Sequence, residues 1–82
     1  LLVHGELDAE VPVSHVDRLA ELARDGRPTS VTVATIPAVN HLLLPAVTGD
    51  VSEYPLLTDR TVSVDVKTAI IDWLAETFSA IR

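Results

Sequence analysis

Two short runs of residues, 1–4 and 30–36, are apolar or β-branched at most positions, and they constrain the fold more than any other feature. Such runs are typical of strands that are covered on both faces of a sheet. The stretch between them carries an apolar stripe at helical spacing, formed by Val16, Leu19, Ala20, Leu22 and Ala23. A strand, a helix and a second strand within about 36 residues form a βαβ unit, whose strands lie parallel. The predicted fold class is therefore α/β.

Capping residues predict where the first helix begins and ends. Ser14, with Asp17 three residues later, is expected to cap its N-terminus. Gly26 and then Pro28 are expected to end it, because glycine suits the C-terminal cap and proline cannot continue a helix. After the second strand, residues 37–61 show no regular period and predict a long irregular segment.

A terminal helix is predicted over residues 63–81. Thr61 or Ser63 is expected to cap it, and Asp65 favours its positive N-terminal end. Trp73 and Phe78 are predicted to be core residues because they share one apolar face with their neighbours at helical spacing. The members of that predicted buried face are Val66, Ile70, Trp73, Leu74, Thr77, Phe78 and Ile81.

The composition limits which kind of domain the chain can form and which partners it can bind. Eighty-two residues make at most one small domain, and 48% apolar residues are too many for a disordered chain. Twelve acidic residues against six basic ones give a net charge of −6, which argues against nucleic acid and anionic membranes as partners. The absence of cysteine excludes disulfides and thiolate metal sites. The chain lacks methionine and opens in the middle of a strand, so we expect the C-terminal part of a longer protein, with an incomplete sheet.

A carboxylate follows the first strand and a histidine follows the second. Asp8 lies in the loop 5–12, and His41 lies early in the segment 37–61. Because parallel strands end at the same edge of a sheet, the two side chains are expected to lie side by side. Asp followed by His is the last part of the chain order Ser…Asp…His, in which a carboxylate orients the histidine that serves as base.

Specific motifs then resemble one family. The segment His4-Gly5-x-x-Asp8-x-x-Val11-Pro12 resembles the acid-loop pattern H-G-x-x-D-x-x-V-P of α/β-hydrolases, closest to the prolyl-oligopeptidase and dienelactone-hydrolase branch. The residues Asn40-His41-Leu42-Leu43-Leu44-Pro45 and Ile71-Asp72-Trp73-Leu74 are similar to the histidine loop and last helix of that branch. The resemblance covers essentially the whole chain. It implies the last βαβ-loop-α portion of an α/β-hydrolase sheet, with 1–82 as one C-terminal fragment of a single domain.

The same resemblance implies a function. Asp8 matches the acid and His41 the base of a serine hydrolase that acts on carboxylic ester or peptide bonds. The nucleophile elbow G-x-S-x-G is absent from the chain, so the serine and the oxyanion hole are expected in a missing N-terminal part of the same domain. The segment alone is expected to be inactive. No cofactor is implied, since triad chemistry uses only side chains and backbone amides.

Other polar residues of the acid loop 5–12 and its surroundings have alternative interpretations. Asp8 could be a turn residue that binds its own loop backbone, and Glu6 and Glu10 are alternative acids on that loop, with Glu6 the stronger alternative. His4 is interpreted as structural, holding the acid loop, and His15 as a solvated residue of the first helix.

The histidine loop 37–61 leaves further alternatives. Asn40 could orient this loop or adopt an unusual backbone angle. Tyr54 could contact substrate or anchor the loop, while Asp50 and Glu53 are expected to face water. The part from Leu42 to Thr61 exceeds ordinary connection lengths and directly follows His41, so we expect it to form one wall of the acyl or leaving-group pocket.

Two other functional classes stay open. A divalent-metal site could be built from His4, Asp8, His15 and His41, although the sequence has no compact ligand motif such as H-E-x-x-H. The chain could also be a non-catalytic interaction module that has lost its nucleophile.

Overall fold

The computed structural model describes residues 1–26 and 30–81 and contains the predicted βαβ unit. Strand β1 spans Leu2–Gly5, helix α1 spans Val13–Gly26 and strand β2 spans Val33–Ile36. The strands pair in parallel, with Leu2 opposite Val33 and Gly5 opposite Ile36. The α/β class is confirmed. Strand β2 is shorter than predicted, and Pro28, which was expected to follow the end of α1, lies outside the described residues.

The pairing register assigns the strand residues to two faces. Side chains alternate along a strand, so Val3, Ala34 and Ile36 share one face, and Leu2, His4, Val33 and Thr35 share the other. The first face packs against helix α2, which spans Val64–Ile81 and contributes Val66 and Ala69 to the core cluster. Helix α1 packs against β1. The described part is therefore a narrow sheet with a helix packed on each strand.

The two predicted helix caps have different outcomes. Ser63 precedes the first residue of α2, and its hydroxyl accepts a hydrogen bond from the backbone N–H of Asp65 at 3.2 Å. Ser63 is thus the cap of α2, as predicted. Ser14 does not cap α1, because the helix already begins at Val13 and places Ser14 inside its first turn. The carbonyl of Pro12 accepts the first helical hydrogen bond, from His15.

Much of the predicted helical core is exposed, which corrects the sequence analysis. Of the described side chains on the predicted face of α2, only Val66 is buried, Trp73 is half-buried, and Phe78 is 62% exposed. On α1, Val16 and Ala20 are buried while Leu19, Leu22 and Ala23 are exposed. The reason is length: 18 helical residues extend about 27 Å, whereas a four-residue strand extends about 13 Å. The predicted burial of Ile81 lies outside the described side chains.

The segment 37–61 is more regular than predicted. A 3-10 helix spans Val51–Leu56, and Val39 pairs with Pro45 as an isolated antiparallel bridge. Along the described ranges, no helix combines the length and the apolar character needed to cross a bilayer.

Candidate active site

Asp8 is held by a tight turn directly after β1. Its backbone N–H donates to the carbonyl of Gly5 at 3.0 Å. The side-chain Oδ1 accepts the backbone N–H groups of Glu10 at 2.9 Å and Val11 at 2.8 Å. The side chain is only 6% exposed. The turn therefore fixes the carboxylate through one oxygen and leaves Oδ2 for another partner.

That partner is His41, as predicted from the parallel topology. The ring Nδ1–H donates to Asp8 Oδ2 at 3.0 Å. The imidazole is 38% exposed, so it is accessible from outside while one nitrogen is bound. The predicted juxtaposition of the two side chains is confirmed. The turn-residue interpretation of Asp8 is also correct, because the two oxygens have separate partners.

His4, on β1, stabilises the acid loop 5–12. Its Nε2–H donates to the carbonyl of Val11 at 2.8 Å, and the same nitrogen lies 3.5 Å from Asp8 Oδ2. The structural interpretation of His4 is therefore correct. His15 is exposed on α1, as expected of a solvated residue. In the ranges that the structure describes, no group of three His, Asp or Glu residues has a geometry suited to a metal ion.

Gly5 allows the histidine loop to approach β1. A Cβ at this position would lie 2.4 Å from the carbonyl oxygen of Val39 and 2.5 Å from that of Asn40. Both distances are far shorter than a Cβ can tolerate. Glycine is thus required here because the residues that lead into His41 pass directly over it.

Asn40 shapes the turn that carries His41. Its side chain is completely buried, and Oδ1 accepts the backbone N–H groups of Leu42 at 2.9 Å and Leu44 at 3.0 Å. The loop-orienting interpretation is therefore correct. The unusual backbone angles belong to other residues, with φ of 56° at Ala38 and 63° at Leu43.

A second carboxylate lies on the opposite side of the His41 ring. Glu10 Oε2 is 3.5 Å from His41 Nε2, and it accepts the hydroxyl hydrogen of Tyr54 at 2.9 Å. Tyr54 thus connects the 3-10 helix to the acid loop. Glu6, which was the stronger alternative acid in the sequence analysis, instead accepts the N–H of Ala38 at 3.4 Å, so that preference is wrong. No sequence signal separates Glu6 from Glu10, since each lies two residues from Asp8; the turn decides which one reaches His41.

Glu53 corrects another expectation, since its carboxylate is engaged by the protein. It accepts the backbone N–H groups of Val47, Thr48 and Gly49 at distances of 3.0 to 3.3 Å. These bonds, above all that from Thr48, hold the pKa of Glu53 below its usual value. Asp50 is exposed, as expected. Gly49 adopts a φ of 82°, which turns the loop so that its own N–H reaches the Glu53 carboxylate.

The pair of Asp8 and His41 shifts the titration of both groups. Burial acts to raise the pKa of Asp8, but the hydrogen bonds from Val11, His41 and Glu10 and the charge of His41 outweigh it and hold the pKa below 3.8. The hydrogen bond to Asp8 raises the pKa of His41 above 6.5, and the charges of Asp8 and Glu10 act in the same direction. The arrangement favours an imidazolium paired with a carboxylate.

An apolar cleft of about 270 Å³ adjoins this pair. Asp8 and His41 lie among its lining residues, and most of the remaining lining is aliphatic: Leu2, Val3, Val11, Val16, Leu19 and Leu43.

Comparison of the chain with protein-family models, curated proteins and solved structures finds no match in any of the three.

Proposed function

We propose that this chain supplies the acid and the base of a serine hydrolase that acts on carboxylic ester or peptide bonds. The observation that carries the proposal is the 3.0 Å hydrogen bond between His41 Nδ1 and Asp8 Oδ2. In a triad, such a bond fixes the tautomer of the imidazole and stabilises its protonated form. The backbone bonds to Asp8 Oδ1 add to this support, because they hold the acid in place before any substrate binds.

The chemistry follows from the two ring nitrogens. With Nδ1–H donated to Asp8, Nε2 carries the lone pair that accepts a proton from a serine hydroxyl. The serine oxygen then bonds to the substrate carbonyl carbon, and His41 returns the proton to the leaving alcohol or amine as its bond breaks. Water attacks the acyl-enzyme by the same route and restores the serine.

The nucleophile and the oxyanion hole belong, in this proposal, to a preceding part of the same domain. In the described part of the chain, no serine forms a hydrogen bond with His41, and the sheet has two strands only. The backbone N–H of Leu2 donates to Thr32, just before β2, and that of Glu6 donates to Ile36 of β2. Because successive residues of a strand direct their backbone groups to opposite edges, those of Val3 face the other edge of β1. That edge and the adjoining apolar cleft suit a further strand of the domain.

Substitution of the pair in the intact natural protein that carries this chain tests the proposal. We expect His41→Ala and Asp8→Asn each to lower kcat/KM for a p-nitrophenyl ester at least about 10³-fold, as loss of a triad member does. The matched controls are His15→Ala and Asp17→Asn, which change the same residue types on the exposed surface of α1 and should leave the rate unchanged.

Unchanged turnover in either His41→Ala or Asp8→Asn would refute the assignment. A peptide p-nitroanilide assayed in parallel distinguishes peptidase from esterase activity. If the unsubstituted protein hydrolyses neither substrate class, the alternative of a non-catalytic interaction module is favoured.

A further inference from the structure

Both nitrogens of His41 face carboxylates, although a triad requires only one. Asp8 lies 3.0 Å from Nδ1, and Glu10 lies 3.5 Å from Nε2. The second contact occupies the side of the ring on which a nucleophile would have to bind. Glu10 is 41% exposed, so its side chain has room to move away from the ring.

Glu10 has a partner of its own that keeps it in this place. The Tyr54 hydroxyl donates to Oε2, the same oxygen that is nearest to His41 Nε2. Tyr54 comes from the 3-10 helix of the histidine loop and is half-buried. Two segments far apart in the chain thus position one carboxylate oxygen against the ring.

The titratable groups that the described contacts place around the ring are two carboxylates, a phenol and a second imidazole. The acid loop contributes Asp8 and Glu10, the 3-10 helix contributes Tyr54, and β1 contributes His4, which faces Asp8 Oδ2 at 3.5 Å. The described ion pairs place no Lys or Arg against these carboxylates. The negative charge of Glu10 is therefore directed at His41 without a competing cation.

We infer that Glu10 is a second positioning residue of His41, anchored by Tyr54, which favours a proton on Nε2 while its carboxylate faces the ring. When an incoming hydroxyl displaces the carboxylate, the Nε2 proton passes to water, and Nε2 is then free to accept the proton of that hydroxyl. A carboxylate oxygen only accepts hydrogen bonds, so it favours Nε2–H over a bare lone pair. The charge of Glu10 contributes to the raised pKa of His41 in the same sense. The catalytic consequence rests on the proposed function, but the contact between Glu10 and His41 does not.

Titration of His41 by NMR in the intact natural protein tests the contact without any assay of activity. We expect Glu10→Gln to move the titration midpoint of His41 to lower pH, because the amide keeps the size but not the charge. The matched control is Glu6→Gln, which removes the same charge from the same loop at a carboxylate bonded to Ala38. A midpoint in Glu10→Gln that moves no farther than in Glu6→Gln would overturn the inference.

Tyr54→Phe tests the anchor separately. Without the hydroxyl, Glu10 is free to turn toward solvent, so the midpoint of His41 should fall, by less than in Glu10→Gln. An unchanged or higher midpoint would overturn the role of Tyr54, since it would mean that the hydroxyl does not hold the carboxylate against the ring. Backbone amide spectra that match those of the unsubstituted protein verify that each variant is folded.

The pH dependence of kcat/KM tests the displacement step. In Glu10→Gln the acid limb of the kcat/KM profile should move to lower pH, because His41 loses its proton at a lower pH. Its Nε2 also no longer faces a carboxylate. An acid limb that stays in place while the NMR midpoint moves would overturn the displacement by an incoming hydroxyl. A protein that hydrolyses no ester would refute the proposed function, while the titration would still decide the role of Glu10.

Discussion

At the scale of single residues, the Asp8 carboxylate performs two tasks with two oxygens. Oδ1 closes the acid-loop turn by accepting two backbone N–H groups, and Oδ2 binds His41. Because the turn holds the carboxylate in one orientation, little side-chain entropy remains to be lost when His41 binds. A single geometry of Asp8 therefore satisfies both interpretations, that of a turn residue and that of the partner of His41.

Gly5 is the residue whose substitution should disturb this geometry most directly. We expect Gly5→Ala to lower the free energy of unfolding by about 1–3 kcal/mol, because the new methyl group would collide with the carbonyls of Val39 and Asn40. The displaced loop carries His41, so under the proposed function kcat/KM of the intact protein should fall about 10²-fold. Denaturant unfolding and the ester assay measure the two effects.

Gly26→Ala is the control for that substitution. Among the residues that the structure describes, no atom lies within 4 Å of a Cβ built at Gly26, so stability should be unchanged or slightly higher. Equal stability losses in the two variants would contradict the close approach of the histidine loop to β1.

At the scale of elements, the histidine loop is held by side-chain to backbone hydrogen bonds more than by apolar packing. Asn40 binds two amides at its start, and Glu53 binds three near its middle. Few side chains of the loop are buried, and Val39 is the one buried apolar side chain of residues 37–61. A loop held in this way keeps a defined path while it leaves His41 and Tyr54 partly accessible.

The two predicted helix caps allow a matched prediction at this scale. Ser63→Ala should lower the free energy of unfolding by about 1 kcal/mol, because it removes the hydroxyl that accepts the N–H of Asp65. Ser14→Ala should have little effect or stabilise slightly, since Ser14 is exposed inside α1 and alanine is the better helix former. Thermal or denaturant unfolding of both variants of the intact protein measures the difference; a larger loss in Ser14→Ala would contradict the assigned helix start.

At the scale of the whole molecule, the 82 residues are less compact than a globular domain of that size. The radius of gyration is 14.3 Å, whereas about 12 Å is typical. The accessible surface is 5764 Å², compared with roughly 4,800 Å² for a folded monomer of 8.8 kDa. Exposed apolar side chains lie on both helices, on β2 and in the histidine loop. The buried core is thus too small to cover the apolar side chains of the helices and strands.

We therefore expect the 82 residues expressed alone to self-associate or to be molten. The unpaired edge of β1 and the exposed faces of α1 and α2 offer contacts to other copies. Analytical ultracentrifugation and dye binding across a dilution series measure this. A monomer that melts sharply and cooperatively at low concentration would contradict the expectation.

The sequence by itself determined the βαβ order, the parallel strands and the meeting of Asp8 with His41. These depend on periodicity and topology, which are local or general: an apolar strand, a crossover helix and a second strand bring both loops to one edge. For the cap of α2 the sequence left two candidates, Thr61 and Ser63, because capping involves neighbours in sequence, and Ser63 is the one that binds the helix.

Only the tertiary structure decided that Glu10 rather than Glu6 reaches His41, that Glu53 binds a loop, and that Phe78 is exposed. Helical spacing identifies which residues share a face, but burial requires a surface for that face to cover, and the sheet here is too short and narrow. The partners of the loop carboxylates depend on turns whose path is set by contacts between distant segments. Sequence patterns are local, and such contacts exist only once the chain has folded.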